Sequence, residues 1–232
     1  MKKVGIIIFI IALFVGVIFA KVFSFGSTSA RFFNFKINFS ETGSGNMATE
    51  KREVSNFKAV DVGGVFQVEI TAQKEFSVEV QADDNLLPLI KTEIRNGVLK
   101  IESENKFNTK NPIIVRISAP DIENLEVSGA SKVTLTNLSN DNLQIDASGA
   151  SKVKVEGTTT NLKVDVSGAS KIDAENLKAE NASVDASGAS NVNLFASNEL
   201  KVDASGASSV SYSGTPTNLE KKTSGASSIK QR

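Results

Sequence analysis

The stretch Asn142-Leu-Gln-Ile-Asp-Ala-Ser-Gly-Ala-Ser-Lys-Val-Lys-Val155, set against Asn161-Leu-Lys-Val-Asp-Val-Ser-Gly-Ala-Ser-Lys-Ile172, decides the fold. Each segment holds two short alternating runs around a Ser-Gly-Ala-Ser corner. Leu143, Ile145 and Ala147 alternate with Gln144, Asp146 and Ser148; after the corner Val153 and Val155 alternate with Lys152 and Lys154. A period of two marks strands with one buried and one wet face. The tetrapeptide occurs six times, from Ser128, Ser148, Ser167, Ser187, Ser205 and Ser224, at steps of 20, 19, 20, 18 and 19 residues. A unit of that length cannot bury its own apolar side chains and becomes stable by stacking on its neighbours, which is the logic of a solenoid.

Ser-Gly in the middle of every unit disfavours helix, and no Leu-x-x-Leu-x-Leu consensus is present, so helical and leucine-rich arrays fit badly. Gly129, Gly149, Gly168, Gly188, Gly206 and Gly225 suit a bend that needs positive φ or leaves no room for a Cβ. The alanine after each (Ala130, Ala150, Ala169, Ala189, Ala207, Ala226) suits a cramped inward position. The expectation is an all-β chain, a parallel β-helix of about 19–20 residues per coil.

The first half hides a degenerate copy. Asp61-Val-Gly-Gly-Val-Phe-Gln-Val68 aligns position by position with Asp146-Ala-Ser-Gly-Ala-Ser-Lys-Val153, which makes Gly64 a further corner. Strand-like runs follow at 76–80, 98–102 and 113–118, with Asn96-Gly97 as a turn signal. Asp83-Asp84-Asn85-Leu-Leu-Pro-Leu-Ile-Lys-Thr-Glu93 reads as a short helix or irregular excursion opened by an Asx cap. Phe57, Phe66, Phe76 and Leu89 point to a thicker half that covers the first open edge. The domain is expected over 53–232, with thicker degenerate coils at 53–120 and regular ones at 121–232.

Ahead of it, Met1-Lys2-Lys3 precedes an apolar run from Val4 to Ala20, closed by Lys21. Such a run as a helix rises about 26 Å, near the lower limit for spanning a bilayer. Residues 1–25 read as a transmembrane anchor, with a cleaved signal as the alternative because Thr28 and Ala30 offer small residues at the right relative spacing. Either reading exports the remainder, and Lys2 and Lys3 orient it outward. Residues 26–52 read as a linker rich in Phe, Gly and Ser; within it Phe33, Phe35, Ile37 and Phe39 alternate with polar residues, as a cap strand or as a segment at the membrane interface.

Beyond residue 50 the chain carries 21 Lys/Arg against 24 Asp/Glu, no nucleic-acid footprint. Cysteine and histidine are absent from the 232 residues, which removes disulfides, thiolate metal sites, the commonest general base and every Ser-His-Asp arrangement. The carboxylates offer no isolated pair and Tyr212 is the only tyrosine, so no catalytic residue, metal ligand or cofactor site is assigned.

Stacking sets Glu126, Asp146, Asp165, Asp185 and Asp203 in one outward column, and Lys132, Lys152 and Lys171 in another, six residues further along each coil. The acids read as a solvated face, screened by water and offset by the Lys column. The alternatives are a row of cation sites or the acidic floor of a polysaccharide-acting groove. The Ser columns either serve the corner backbone or present hydroxyls to an ordered surface such as ice or crystalline sugar.

The segments Asn56-Phe-Lys-Ala-Val-Asp-Val-Gly-Gly-Val-Phe-Gln-Val-Glu-Ile70, Asp83-Asp-Asn-Leu-Leu87 and Asn96-Gly-Val-Leu-Lys-Ile101, followed by repeated Ser-Gly-Ala-Ser, resemble the bacterial head GIN domain family, labelled "putative auto-transporter adhesins". The resemblance covers roughly 53–229. It implies a right-handed parallel β-helix on an exported protein of the cell envelope, a non-enzymatic adhesin-like or structural module, and brings no catalytic residues with it. Many relatives carry a lipoprotein signal with its Cys; here that Cys is missing, so the expected membrane contact is the peptide segment 4–20. A glycan or an envelope protein is the expected ligand. The last unit, Thr223-Ser-Gly-Ala-Ser-Ser-Ile-Lys-Gln-Arg232, supplies no bulky cap, and self-association or fraying is expected at that open end.

Overall fold

Burial follows the alternation residue by residue: Leu143, Ile145 and Ala147 are buried, as are Val153 and Val155 after the corner, while Lys152 and Lys154 are exposed. The computed structural model describes residues 40–104 and 106–232. The expectations for an anchor or signal at 1–25 and for the Phe33–Phe39 alternation lie outside the described residues. Among the described residues no helix is long and apolar enough to cross a membrane.

Over the described residues the chain is all-β, a solenoid of about 5 turns. Its strands join one 15-stranded sheet, with a small parallel pair, Glu41–Thr42 on Phe107–Asn108, beside it. In the regular half the strands Lys132–Ala147, Lys152–Val166, Lys171–Ala186 and Asn191–Ala204 each run from one Ser-Gly-Ala-Ser corner to the next. They bend midway at irregularities such as the one between Leu135 and Leu138, where Asn137 has φ 61°. Each coil pairs in parallel with the coil above and below, Ile145 on Leu125 and on Val164, Val153 on Val133 and on Ile172. The inward side chains form a continuous core of Val, Ile, Leu and Ala, each large one worth about 1.5–3 kcal/mol when buried.

The corners are stacked backbone on backbone. The Ala150 N–H donates to the Gly129 carbonyl at 2.8 Å, and the same bond recurs from Ala169 to Gly149, Ala189 to Gly168 and Ala207 to Gly188. This corrects one expectation: the corner alanines are exposed, and the serine after each, Ser131, Ser151, Ser170, Ser190 and Ser208, is buried. Parity runs through the corner unbroken: counting by twos from the buried Ala147 reaches Ser151, Val153 and Val155, all buried, and leaves Ala150 outward, while Gly149 takes up the bend with φ +74°.

The first half enters the same stack. Ala59–Gly64 lies between Asn124–Gly129 and Val98–Ser103, with Gly64 paired to Gly129. Gln67–Thr71 lies between Lys132–Ala147 and Ile114–Ser118. Around this begin antiparallel partners absent from the regular coils. Ile90–Arg95 turns back on Val98–Ser103 through Asn96-Gly97, whose φ values of 53° and 77° suit a type I′ turn. Ser77–Asp83 pairs antiparallel with Ile114–Ser118 on one side and with Met47–Arg52 on the other. Residues 47–52 are therefore a strand of the sheet, where the sequence suggested linker, because the exposed edge of Ser77–Asp83 offers them a hydrogen-bonding partner.

The excursion after Asp83 is a single 3-10 turn, Leu87–Leu89, running directly into Ile90–Arg95. No Asx side chain caps it. Phe57 and Phe66 are buried in the thicker half, and the Phe57 ring meets Phe76 at 5.1 Å between centroids, tilted by 55°.

Candidate functional site

Outward-facing positions of stacked strands form straight rows, so any residue type that recurs at one place in the repeat becomes a ladder on the surface. One ladder runs Asp61, Glu126, Asp146, Asp165, Asp185, Asp203, in direct register from coil to coil. A lysine sits at each end of it, Lys100 beside Asp61 and Lys222 beside Asp203. Lys100 Nζ lies 2.7 Å from Asp61 Oδ2, and Lys163 Nζ lies 3.0 Å from Asp165 Oδ2. The hydrogen bond to Asp165 raises the Lys163 ammonium above the ordinary lysine value, the charge of that carboxylate adds to it, desolvation opposes it, and Asp146 and Asp185 contribute from the adjacent rungs. Gln144 Nε2 donates to Asp146 Oδ2 at 2.9 Å. Beside the acids, Ser148, Ser167, Ser187 and Ser205 line a shallow open groove of about 540 Å³.

The second predicted ladder is also in register, Lys132 on Lys152 on Lys171, continued by Asn191 and Ser209. It stands across the corner from the acids. The expectation that it offsets them is corrected: among the described residues Lys132, Lys152 and Lys171 enter no salt bridge, and the ammonium groups on the acids are Lys163 and Lys100 from the acids' own face. Side chains that turn outward on opposite sides of a bend point apart, which sequence spacing alone does not reveal.

Two further ladders escaped the sequence reading. Asn161 Nδ2 donates to Asn142 Oδ1 at 3.1 Å, Asn181 to Asn161 at 3.0 Å, and Asn198 to Asn181 at 2.8 Å. The signal was present, an asparagine four residues before Asp146, Asp165 and Asp185. Between this ladder and the outward row Gln144, Lys163, Ser183, Lys201 lies a groove of about 720 Å³. The other ladder is internal. Ser131 Oγ donates to the Gly64 carbonyl at 3.0 Å and accepts from the Phe66 N–H at 3.2 Å. Ser151 Oγ donates to the Ser148 carbonyl at 2.6 Å. These hydroxyls serve the corner backbone, as short hydroxyl side chains commonly do. Ser190 Oγ is the exception, buried with no partner.

A buried carboxylate, Asp83, ties the thicker half together. Thr109 Oγ1 donates to it at 2.7 Å and Asn111 Nδ2 at 2.6 Å. The Thr109 bond, then the Asn111 bond, hold its carboxyl below the ordinary value, burial opposes them, and the Gly45 backbone adds to the lowering. Next to it, Ser44 N–H donates to Asn85 Oδ1 at 2.9 Å and Asn85 Nδ2 donates to the Thr42 carbonyl at 2.9 Å. The Asp83-Asp84-Asn85 run thus seats the loop at 42–46, which is the use its side chains have in place of a helix cap.

A family model described as "Putative auto-transporter adhesin, head GIN domain" matches residues 56–216. The chain belongs to the head GIN domain family. The matched span of this GIN domain takes in the corners from Gly64 to Gly206 and the whole acid ladder, and leaves out the strand Met47–Arg52 and the last coil. Among curated proteins none matches the chain. Similar solved structures include a putative adhesin of Bacteroides fragilis NCTC 9343, at 22% identity and TM-score 0.68, over 82% of this chain and 99% of that one. A putative adhesin of Parabacteroides merdae ATCC 43184 is similar at 17% identity and TM-score 0.55, over 83% and 99%. A putative lipid binding protein of Parabacteroides distasonis ATCC 8503 is similar at 18% identity and TM-score 0.50, over 84% and 100%. At these identities the likeness is one of fold.

Chemically, the GIN domain surface offers carboxylates, amides, hydroxyls and ammonium groups in rows. Among the described residues no group of three or more Asp and Glu converges as a metal site. A row with one acid per coil presents ligands along a line, where Ca²⁺ needs six to eight oxygens around a point.

Proposed function

We propose that this head GIN domain is a non-enzymatic binding module of the cell envelope, an adhesin-like solenoid exported from the cytoplasm and held to the membrane by residues 4–20. Its coil is taken as right-handed, the hand that connections between parallel strands adopt. The observation that carries the reading is the open groove of about 720 Å³ beside the asparagine ladder. Asn161, Lys163, Asn181 and Ser183 face it with amide, ammonium and hydroxyl groups repeated coil after coil. Such a surface suits an extended ligand with many weak polar contacts, a glycan chain or an envelope protein segment, where repetition multiplies affinity.

The test is binding of the full chain, held in non-ionic detergent, to an array of glycans and isolated envelope proteins. Retention of a polymeric ligand that strengthens with ligand length and is weakened by Asn161→Leu together with Lys163→Leu supports the proposal. No binding across the array, or release of new reducing ends from a polysaccharide, would overturn it.

A further inference from the structure

Two rows of single-sign charge flank the same corners. Glu126 and Lys132 stand on either side of Gly129, Asp146 and Lys152 on either side of Gly149, Asp165 and Lys171 on either side of Gly168. Both rows advance by one coil, about 4.8 Å per step. Like charges at that spacing repel one another. Among the described residues, the three lysines enter no salt bridge, nor do Glu126 and Asp146; Asp165 alone has Lys163. Between the rows the surface is only Ser-Gly-Ala, with Ala130, Ala150 and Ala169 exposed, so nothing bulky stands off a neighbour. The molecule carries, on adjoining faces and at one pitch, a charge row and its complement.

We infer that this chain associates side by side with a second copy of itself along the corner ridge, Glu126, Asp146 and Asp165 of one copy opposite Lys132, Lys152 and Lys171 of the other. Symmetry fixes the orientation. A two-fold axis parallel to the solenoid axis keeps every coil at its own height and exchanges the two rows, so each acid meets the lysine of the same coil in the other copy, twice over. An antiparallel copy sets acids on acids. Above the third rung the lysine row gives way to Asn191 and Ser209, so Asp185 and Asp203 stand outside the contact. The contact is made by exposed ion pairs and is therefore weak and sensitive to salt. It leaves free the groove beside Asn161 and does not depend on what binds there.

Sedimentation velocity of the full chain in non-ionic detergent tests it. A dimer at about 50 mM salt, whose dissociation constant rises at least about tenfold by about 500 mM salt, is expected as the Debye length shrinks. The triple reversal Lys132→Glu, Lys152→Glu, Lys171→Glu abolishes the dimer. Adding Glu126→Lys, Asp146→Lys and Asp165→Lys to the same chain restores it, and Asp185→Asn leaves it unchanged. Carbodiimide coupling of mixed isotope-labelled and unlabelled chains, which needs no variant, joins Asp146 of one copy to Lys152 of the other. A chain that stays monomeric at low salt, a dimer that survives the lysine reversal, or coupling confined to single chains would each overturn the inference.

Discussion

A β-carbon on Gly149 would stand 2.5 Å from the carbonyl oxygen of Gly129. That carbonyl already accepts the Ala150 N–H, so neither backbone can retreat without breaking the bond that joins the two coils. Gly97 also has a positive φ, +77°, yet nothing lies within 4 Å of its missing side chain. Gly97→Ala therefore incurs only the left-handed backbone cost, about 1 kcal/mol. Gly149→Ala adds a backbone clash and should cost about 3 kcal/mol. Urea unfolding of the two variants will place their midpoints clearly apart; equal midpoints would mean that the corner relaxes.

The internal serines make a paired prediction. Ser151→Ala removes a 2.6 Å bond from a buried hydroxyl to the Ser148 carbonyl, a loss of about 1 kcal/mol. Ser190→Ala removes a hydroxyl that has no partner to lose, and its stability should stay within about 0.5 kcal/mol of the parent or rise. Thermal unfolding of both checks the contrast.

Acid should weaken the fold in part through Asp83. Its folded-state carboxyl titrates below the ordinary value of 3.8, so the stability it contributes is complete above that value and is lost as pH falls through the lowered one. Asp83→Asn retains an acceptor for Thr109 but sets an amide against the Asn111 amide. The variant should melt lower at neutral pH, and its melting temperature should change less between pH 5 and about pH 2 than that of the parent. Parallel melting curves across that range would remove the role given to this carboxylate.

Within the asparagine ladder, Asn161 both donates to Asn142 and accepts from Asn181. Asn161→Ala should cost about 1 kcal/mol, and Asn161→Asp, an acceptor only when ionised but able to donate through its O–H when protonated, should move toward the parent as pH falls through its carboxyl range. Chemical unfolding at two pH values distinguishes the cases.

Legibility in the sequence tracked repetition. The Leu143-Gln144-Ile145-Asp146 alternation and the recurring corner gave the solenoid, because a side chain's face in a strand depends only on parity. Asp61 to Val68 could be aligned with the later coils although Ser-Gly-Ala-Ser is degraded there, since Gly64 and the flanking valines keep the spacing. At the bend the small size of Ala150 suggested an inward place, whereas plain parity from Ala147 gives Ser151 inward and Ala150 outward, as found. The strand Met47–Arg52 was hidden by its polar composition, Met-Ala-Thr-Glu-Lys-Arg; it forms because Ser77–Asp83 presents an edge, a fact of tertiary arrangement. Three asparagines of the row, Asn142, Asn161 and Asn181, stood in plain view four residues before an aspartate, and only the hydrogen bonds give the row meaning and add Asn198 to it.

The corner bond from alanine N–H to the glycine carbonyl beneath is the same at every junction of the regular half, so the upper rim of any coil fits the lower rim of any other. Length can then change by whole coils with each surviving junction unaltered, while shorter insertions must be absorbed in the bulges on the far side, as the 18- to 20-residue steps already are. The domain is in this sense a ruler graduated at about 4.8 Å. Adding or removing a whole unit would alter how far it reaches while leaving intact the way it folds.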